Sequence, residues 1–339
     1  MKQFLQMLTS KESLSQADMT GLAKELFRED ISDSEIAGLI IALKTKGETA
    51  VEITGLVEAL RAQAMPFKSR LRGVIDNCGT GGDGSQSFNV STASAFVLAG
   101  AGIRVAKHGN RSVSSRTGSA DVLEQLGVNL KPAPERAEEM LEELGITFLF
   151  APYVHPNIKR IMKVRQDLKI PTIFNLIGPL TNPVDLDHQL LGIYNPAYID
   201  LFADVLKRLG RKRAIVVTGA GNMDEASLEG ENRLAIIEGG EIRKAAFIPE
   251  EVGLPRYDNR SIKGGDAAEN ADILLRILKG EKGAFRDTVL LNAGLGIYAA
   301  GKTETIEGGI SLAKESIDSG SAHEKLQRLV EKSKEKEAV

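Results

Sequence analysis

The chain predicts an α/β protein: a small all-helical domain first, then a larger α/β domain with a central mixed, mainly parallel sheet flanked by helices. Three observations predict it. Within the first 65 residues, helix-capping signals recur three times, each followed by an amphipathic stripe. From Gly73 the pattern changes to short β-branched runs alternating with helical segments, as βαβ units require. Two glycine- and serine-rich loops, in the stretch from Asp76 to Ser119, each follow an apolar run and open into a helical pattern.

Taken in order, Ser15, Ser32 and Thr49 stand at N-cap positions, with Asp18, Glu35 and Glu52 three residues later. This is the capping box, in which hydroxyl and carboxylate each accept an N–H that the helix start leaves unpaired. Behind the caps, Met19, Leu22, Ala23 and Leu26, then Ile36, Leu39, Ile40 and Leu43, then Ile53, Leu56, Val57 and Leu60 recur at helical spacing. Gly47, after Lys44 and Lys46, has the form of a helix stop. The helical domain is expected over 1–66 and the α/β domain over 73–330.

Val74-Ile75 leads into the first glycine loop. Ser91 to Gly100 reads as a helix that Ser91 and Thr92 could cap, and Ile103 to Ala106 as a strand. Gly118 to Leu126 and Glu135 to Leu144 read as helices, and Ile146 to Phe150 as a strand. His155 to Lys169 is a basic helical pattern, followed by a proline-interrupted run too irregular for one element. Leu190 to Tyr194 and Ala214 to Thr218 read as strands, with Arg233 to Ile237 and Ile242 to Phe247 as a hairpin. A helix over Ala267 to Leu278 and two over Ala284 to Gly320, parted by Gly301, complete the pattern. Lys207, Arg208, Arg211, Lys212 and Arg213 read as charge at a helix C-terminus, and 331–339 as a charged tail.

Composition narrows the function. A chain of 339 residues has room for two domains, and 42% hydrophobic with 26% charged residues is a globular balance. The net charge of −3 offers no basic surface for nucleic acid or an acidic membrane, so an anionic ligand must be attracted locally. One cysteine, Cys78, leaves no intrachain disulfide and fits a reducing cytoplasm. No apolar run is long enough for a membrane span, and the start M-K-Q-F-L-Q-M-L lacks a signal-peptide core.

The chemistry concentrates in the two loops. Gly79, Gly81, Gly82 and Gly84 give the first loop a backbone free to make left-handed turns and approach phosphate oxygens. The helix start that follows presents unpaired N–H groups, and each anion interaction there contributes roughly 0.3–1 kcal/mol when exposed. Lys107 and Arg111 in the second loop could offset negative charge. The spacing is neither a P-loop nor a dinucleotide fingerprint, and alone it fits a tight strand-to-helix turn equally well. Asp224-Glu225, after a strand, can reach Mg²⁺, which takes one or two protein carboxylates with phosphate oxygens; such a pair is also an ordinary solvated turn. Arg165 sits on a basic helical face that could be plain solvent-exposed surface, although a planar carboxylate ligand calls for arginine.

Together, G-T-G-G-D, F-N-V-S-T, K-H-G-N-R-S-V-S-S, the V-R at Arg165, F-N-L-I-G-P-L-T-N-P and M-D-E resemble the anthranilate phosphoribosyltransferases of tryptophan biosynthesis. The resemblance runs through nearly the whole chain, in order. It implies phosphoribosyl pyrophosphate (PRPP) as donor, Mg²⁺ as cofactor, anthranilate as acceptor, and a homodimer formed through the helical domain, which part of 155–185 completes. It places PRPP against Gly79, Gly82, Asp83, Ser87, Asn89, Val90, Ser91 and Thr92 on one side. On the other it places Lys107, His108, Gly109, Asn110, Arg111, Ser112, Val113, Ser114, Ser115 and Ser119. Anthranilate falls to Gly79, Asn110 and Arg165, and magnesium to Ser91, Asp224 and Glu225. Ser87 and Ser119 stand where relatives often carry Thr and Ala, and the histidine that often precedes the acidic pair is absent. His108 takes no acid or base role, since a structural imidazole fits it as well. A pyrimidine nucleoside phosphorylase is the nearest rival, and a non-catalytic nucleic-acid-binding paralogue the rival of another class.

Overall fold

The computed structural model describes residues 1–68, 70–112 and 116–335. Four helices open the chain: α1 (Lys2–Thr9), α2 (Gln16–Leu26), α3 (Asp33–Lys46) and α4 (Ala50–Ala62). All three expected capping boxes form, on Ser15, Ser32 and Thr49. The twelve stripe residues behind them are each at most 3% exposed. Gly47 ends α3 with φ 89°, its N–H donating to the Leu43 carbonyl. Helix α1 escapes sequence reading because its start carries no side-chain cap.

The α/β part follows as β1 (Val74–Asp76), α5 (Val90–Gly100), β2 (Arg104–Gly109), α6 (Ser119–Gln125), α7 (Pro134–Glu143), β3 (Ile146–Phe150) and α8 (Ala151–Val154). Next come α9 (Lys159–Leu168), α10 (Ile173–Leu176), β4 (His188–Gly192), α11 (Ile199–Arg208), β5 (Arg213–Thr218), β6 (Asn232–Glu238) and β7 (Glu241–Phe247). The chain closes with α12 (Ala267–Leu278), α13 (Ala284–Ala299), α14 (Ile306–Asp318) and α15 (Ser321–Lys334). The seven-stranded sheet runs β3-β2-β1-β4-β5-β6-β7. Its first five strands are parallel, and β6 and β7 add an antiparallel hairpin. Strand order reverses around β1, so the loops after β1, β2, β4 and β5 open on one edge, where such sheets bind ligands.

Among the described residues two large cores and a smaller cluster of Val74, Ala106, Leu141 and Leu149 flank the sheet. One joins α5, α13 and α14 to the face bearing Ile75, Val105, Leu190 and Ile215. The other carries Val216, Ala235 and Ile237, covers them with Phe202 and Leu206 of α11, and continues into the N-terminal helices. Ile161, Val164, Ile173, Ile177 and Leu180 bury in that same core. Arg160 and Lys163 of α9 both pair with Asp33 at the start of α3.

Several sequence readings shift. The strand expected over Leu190–Tyr194 lies at His188–Gly192, because Ile75 and Asp76 pair with His188 and Gln189. Helix α5 is not capped by Ser91 or Thr92: Asn89 holds the N-cap position without a side-chain cap bond, and Thr92 is 2% exposed. Arg211 is not helix-end surface charge; α11 has already ended, and the guanidinium, 5% exposed, donates to Gln189 Oε1 and the Leu186 carbonyl. The charged tail expected from 331 is helical through Lys334, with Ser333 buried and receiving the Asn129 N–H; residues 336–339 lie outside the described residues.

Candidate active site

The site is built where the loops after β1, β2 and β5 meet. The first loop runs from Asn77 to Asn89, with Gly81 and Gly82 at φ 68° and 83°, the left-handed region that glycine enters without strain. The acidic turn after β5 packs directly beneath it. The Gly81 N–H donates to Asp224 Oδ2 at 2.6 Å, the Ser91 N–H to Glu225 Oε1 at 3.2 Å, and the Asp224 N–H to Asp83 Oδ2 at 3.4 Å. Two glycines permit this approach: a Cβ on Gly192 would fall on the Asp224 carbonyl oxygen, and one on Gly79 on the Asp224 carboxylate. Thr80 completes the seat by donating its N–H to the Gly192 carbonyl at 3.0 Å.

These carboxylates crowd one another. Burial, then the neighbouring Asp83, pushes the Asp224 carboxyl up to about 7. Burial and then Asp224 raise Glu225 well above the usual carboxylate range, while the Lys107 charge opposes the rise. Lys107, 3% exposed, reaches the Asn77 carbonyl at 3.4 Å, and its charge acts on Glu225 and on Asp76. Cys78, beside it, is a packed thiol that burial pushes up to about 12, not a nucleophile.

The remaining sequence-predicted residues fall into three groups. Val90 and Thr92 turn their side chains into the core, so only their backbone faces the loop. His108 does the same: its imidazole, 2% exposed, bonds the Gly178 carbonyl through Nδ1 at 3.1 Å, and burial lowers it to about 3, with His155 adding to the shift. Gly109 lies under Ser119 and the Phe148 ring. Asn89 is held from both ends, donating to the Thr117 carbonyl and accepting from Asn270, while Ser87 bridges to Lys263. In the second loop, the Asn110 carbonyl receives the Ala120 N–H and the Ser119 hydroxyl. Arg111, expected to face phosphate, is committed to Asp121 and Glu124, and Ser112 donates its N–H to Asp121. Val113, Ser114 and Ser115 lie outside the described residues. A depression of about 540 Å³ opens beside Arg111, Arg116, Asp121 and Glu124, on the flank of that loop and away from the acidic turn.

Arg165 stands apart, on α9 in the second core. Its guanidinium lies 5.9 Å from the Phe174 ring centre, one nitrogen is 2.9 Å from Met162 Sδ, and Nε is buried without a hydrogen-bond partner. Desolvation lowers its pKa, the mark of a cation partly withdrawn from water, and no carboxylate pairs with it among the described residues. It is not the solvated face residue that its basic neighbours suggest.

Three supporting residues were missed. Asp76 ends β1 with its carboxylate fully buried, accepting from the His108 N–H and Asn182 Nδ2. Asn77 donates to the Ser91 carbonyl at 2.8 Å. Asn292, in mid-α13, binds the Ala226 N–H and carbonyl and so fixes the residue after the acidic pair. A polar residue inside the apolar run V-L-L-N-A-G-L was the available signal for Asn292.

Residues 2–64 match the helical bundle domain of a glycosyl transferase family, and residues 71–323 its a/b domain. An anthranilate phosphoribosyltransferase of Bacillus cereus strain B4264 is 58% identical over 276 residues, 81% of each chain. One from Bacillus anthracis strain A0248 is 57% identical over 275 residues, again 81% of each. The crystal structure of anthranilate phosphoribosyltransferase from Thermus thermophilus superposes with a TM-score of 0.93 at 43% identity, covering 98% of this chain and 99% of that one. The Saccharomyces cerevisiae enzyme in complex with PRPP and Mg superposes at 0.89 with 25% identity, covering 98% and 97%.

Proposed function

This chain belongs to the anthranilate phosphoribosyltransferase family and is a pentosyltransferase of tryptophan biosynthesis; from that premise we propose which residues perform each part of its reaction. The enzyme carries the 5-phosphoribosyl group of PRPP to the amino group of anthranilate and releases pyrophosphate. One observation carries the residue assignment: the glycine loop, the start of α5 and the Asp224-Glu225 turn converge through direct hydrogen bonds.

The glycine loop and the first turn of α5 bind the donor phosphates through backbone N–H groups, with Gly79, Gly82, Asp83, Ser87, Asn89, Val90, Ser91 and Thr92 on that side. On its other side the proposed contacts are Lys107, the backbone of His108, Gly109, Asn110, Ser112, Ser119 and Arg111, which would exchange Asp121 and Glu124 for phosphate; Val113, Ser114 and Ser115 complete the proposal from outside the described residues. As the bond from C1 to pyrophosphate breaks, charge grows on the leaving group, and Lys107 with the loop N–H groups, once phosphate exchanges with the carboxylates that Gly81 and Ser91 bind, would offset it. The attacking group is an aromatic amine, neutral at pH 7, so the chain needs to orient it rather than deprotonate it. Arg165 binds the anthranilate carboxylate, which would supply the missing partner of its buried Nε; Gly79 and Asn110 line the same acceptor.

Magnesium fits this donor set. Asp224 and Glu225 supply hard carboxylate oxygens, and burial with the neighbouring charge of Asp83 raises both carboxyls, a cost that a divalent cation would relieve. No group of three metal-spaced His, Cys, Asp or Glu side chains occurs among the described residues, as suits an ion shared with substrate phosphates. Ser91, Asp224 and Glu225 would hold it, and when bound it supplies positive charge to the leaving pyrophosphate.

We read the domains as 1–66, completed by part of 155–185, and 73–330. The shared core of Leu39, Ile161 and Ile173 supports that division. A homodimer through the helical domain completes the reading, supported by half-exposed Phe4, Leu5 and Phe27. No helix among the described residues is long and apolar enough to cross a membrane, and the lone free thiol suits the cytoplasm.

The test is loss of anthranilate fluorescence with PRPP and Mg²⁺, with uridine plus phosphate as the control arm. Turnover is expected in the first arm only; none there would sink the assignment. Sedimentation of the same sample should give twice 36.5 kDa, and a single-chain mass would remove the dimer.

A further inference from the structure

The donor loops and the acceptor arginine belong to different cores, yet the reaction needs C1 and the amine aligned. One short segment, 178–184, joins the two. Gly178, Pro179 and Thr181 offer their carbonyls to side chains from three elements: His108 Nδ1 at 3.1 Å, Gln189 Nε2 at 2.7 Å and His155 Nε2 at 2.9 Å. Asn182 does more. It is 0% exposed, and its Nδ2 donates both to Asp76 Oδ2 at 3.0 Å and to the Ala106 carbonyl at 2.7 Å. Its Oδ1 accepts the Val184 N–H at 3.0 Å, and its own carbonyl receives Arg61 Nε at 3.0 Å.

These partners define what Asn182 controls. Asp76 is the last residue of β1 and immediately precedes the first glycine loop, and Ala106 immediately precedes Lys107. Arg61 lies on α4 and also reaches Asp185 at 2.8 Å. The chain entering this segment carries Phe174, against which Arg165 packs. The Asn182 side chain therefore ties the root of the first donor loop to β2 one residue before Lys107, while its backbone carbonyl meets Arg61 of the helical domain.

We propose that Asn182 is a positioning residue for the transfer reaction: it holds segment 178–184, which continues from the acceptor-side Phe174, at a fixed distance from Asp76 and from the strand that carries Lys107. The inference rests on the reaction given above. Asn182 does not touch substrate; it acts through Asp76, Ala106 and the backbone of 178–184. A residue that merely caps the 182–184 turn would change stability on removal and leave turnover alone at temperatures well below unfolding. A positioning residue changes the rate of bond transfer while phosphate binding persists, since a displacement of about 1 Å can cost on the order of 100-fold in rate.

The experiment compares Asn182→Ala and Arg61→Ala with the unaltered protein. Circular dichroism verifies folding, steady-state kinetics give kcat and both KM values, and calorimetry gives pyrophosphate affinity with Mg²⁺. For Asn182→Ala, kcat should fall about tenfold or more, with PRPP KM and pyrophosphate affinity within about threefold. Arg61→Ala should show the same split with a smaller fall. A folded Asn182→Ala variant with kcat within about twofold, or with pyrophosphate affinity lost in parallel, overturns the proposal. If Asn182→Ala does not fold, Arg61→Ala decides: unchanged kcat overturns it and the split supports it. No turnover by the unaltered protein would overturn the reaction itself and this inference with it, whereas turnover there with unaffected variants overturns this inference alone.

Discussion

The two halves of the site are built on opposite plans. On the donor side, the N–H groups of Gly81 and Ser91 are already occupied by carboxylates, and Asn77, Asn89 and Asn292 hold the surrounding backbone. On the acceptor side, Arg165 has a ring and a sulfur beside it and an unpartnered Nε. The first arrangement is satisfied internally, so a ligand must exchange with bonds that exist. The second is a half-buried cation whose buried Nε lacks an acceptor, which a carboxylate would supply. Rigid preorganisation and unmet hydrogen-bonding capacity are thus different ways of storing affinity, and each half uses one.

Substitutions can break that contrast. The largest effect is expected at Gly192, where a methyl group would fall on the Asp224 carbonyl. Gly192→Ala should displace the acidic turn and lower kcat/KM by about 100-fold or more; activity within about twofold of the parent would mean the seat yields and the donor half is not rigid. Next comes Arg165→Ala, expected to raise the anthranilate KM by roughly tenfold or more, the scale of a lost charged hydrogen bond, with PRPP KM nearly unchanged. Equal rises in both would remove Arg165 from the carboxylate role and erase the contrast.

The smallest effect sharpens the donor half by pH. The Asp224 carboxyl titrates near 7 in the fold, above its ordinary value, so the native state holds a proton that the unfolded chain has already released. Without metal, its contribution to stability is full below about pH 4 and is lost as pH rises through about 7. Asp224→Asn, measured in chelator, should remove that loss and unfold a few degrees higher than the parent at pH 8, roughly the effect of 1 kcal/mol or so. Identical pH profiles for the two proteins would place the strain elsewhere.

Legibility in the sequence followed the range of the interaction. Capping boxes at Ser15, Ser32 and Thr49 are written within three residues and were readable. The glycine loop and the Asp224-Glu225 pair were readable as chemistry but not as neighbours, because residue order says nothing of a 2.6 Å bond between Gly81 and Asp224. Arg211 was misread because charge predicts surface unless a partner such as Gln189, on another strand, lets it enter the interior. Asn182 was legible as part of F-N-L-I-G-P-L-T-N-P but not for its contacts, because its bonds to Asp76, Ala106 and Arg61 span 76 residues or more.

The sheet has two free margins, and they are protected differently. Strand β3 is buried along its whole length beneath α7 and α15. Strand β7 lies open to water, with Glu241, Arg243 and Lys244 in sequence around exposed Ile242, and Lys244 paired to Asp200. An open row of backbone donors and acceptors invites another copy to extend the sheet, and charged side chains there make such docking costly to dehydrate. The hairpin that finishes the sheet thereby guards the concentrated protein against edge-to-edge aggregation, a task separate from catalysis and written in three charged residues.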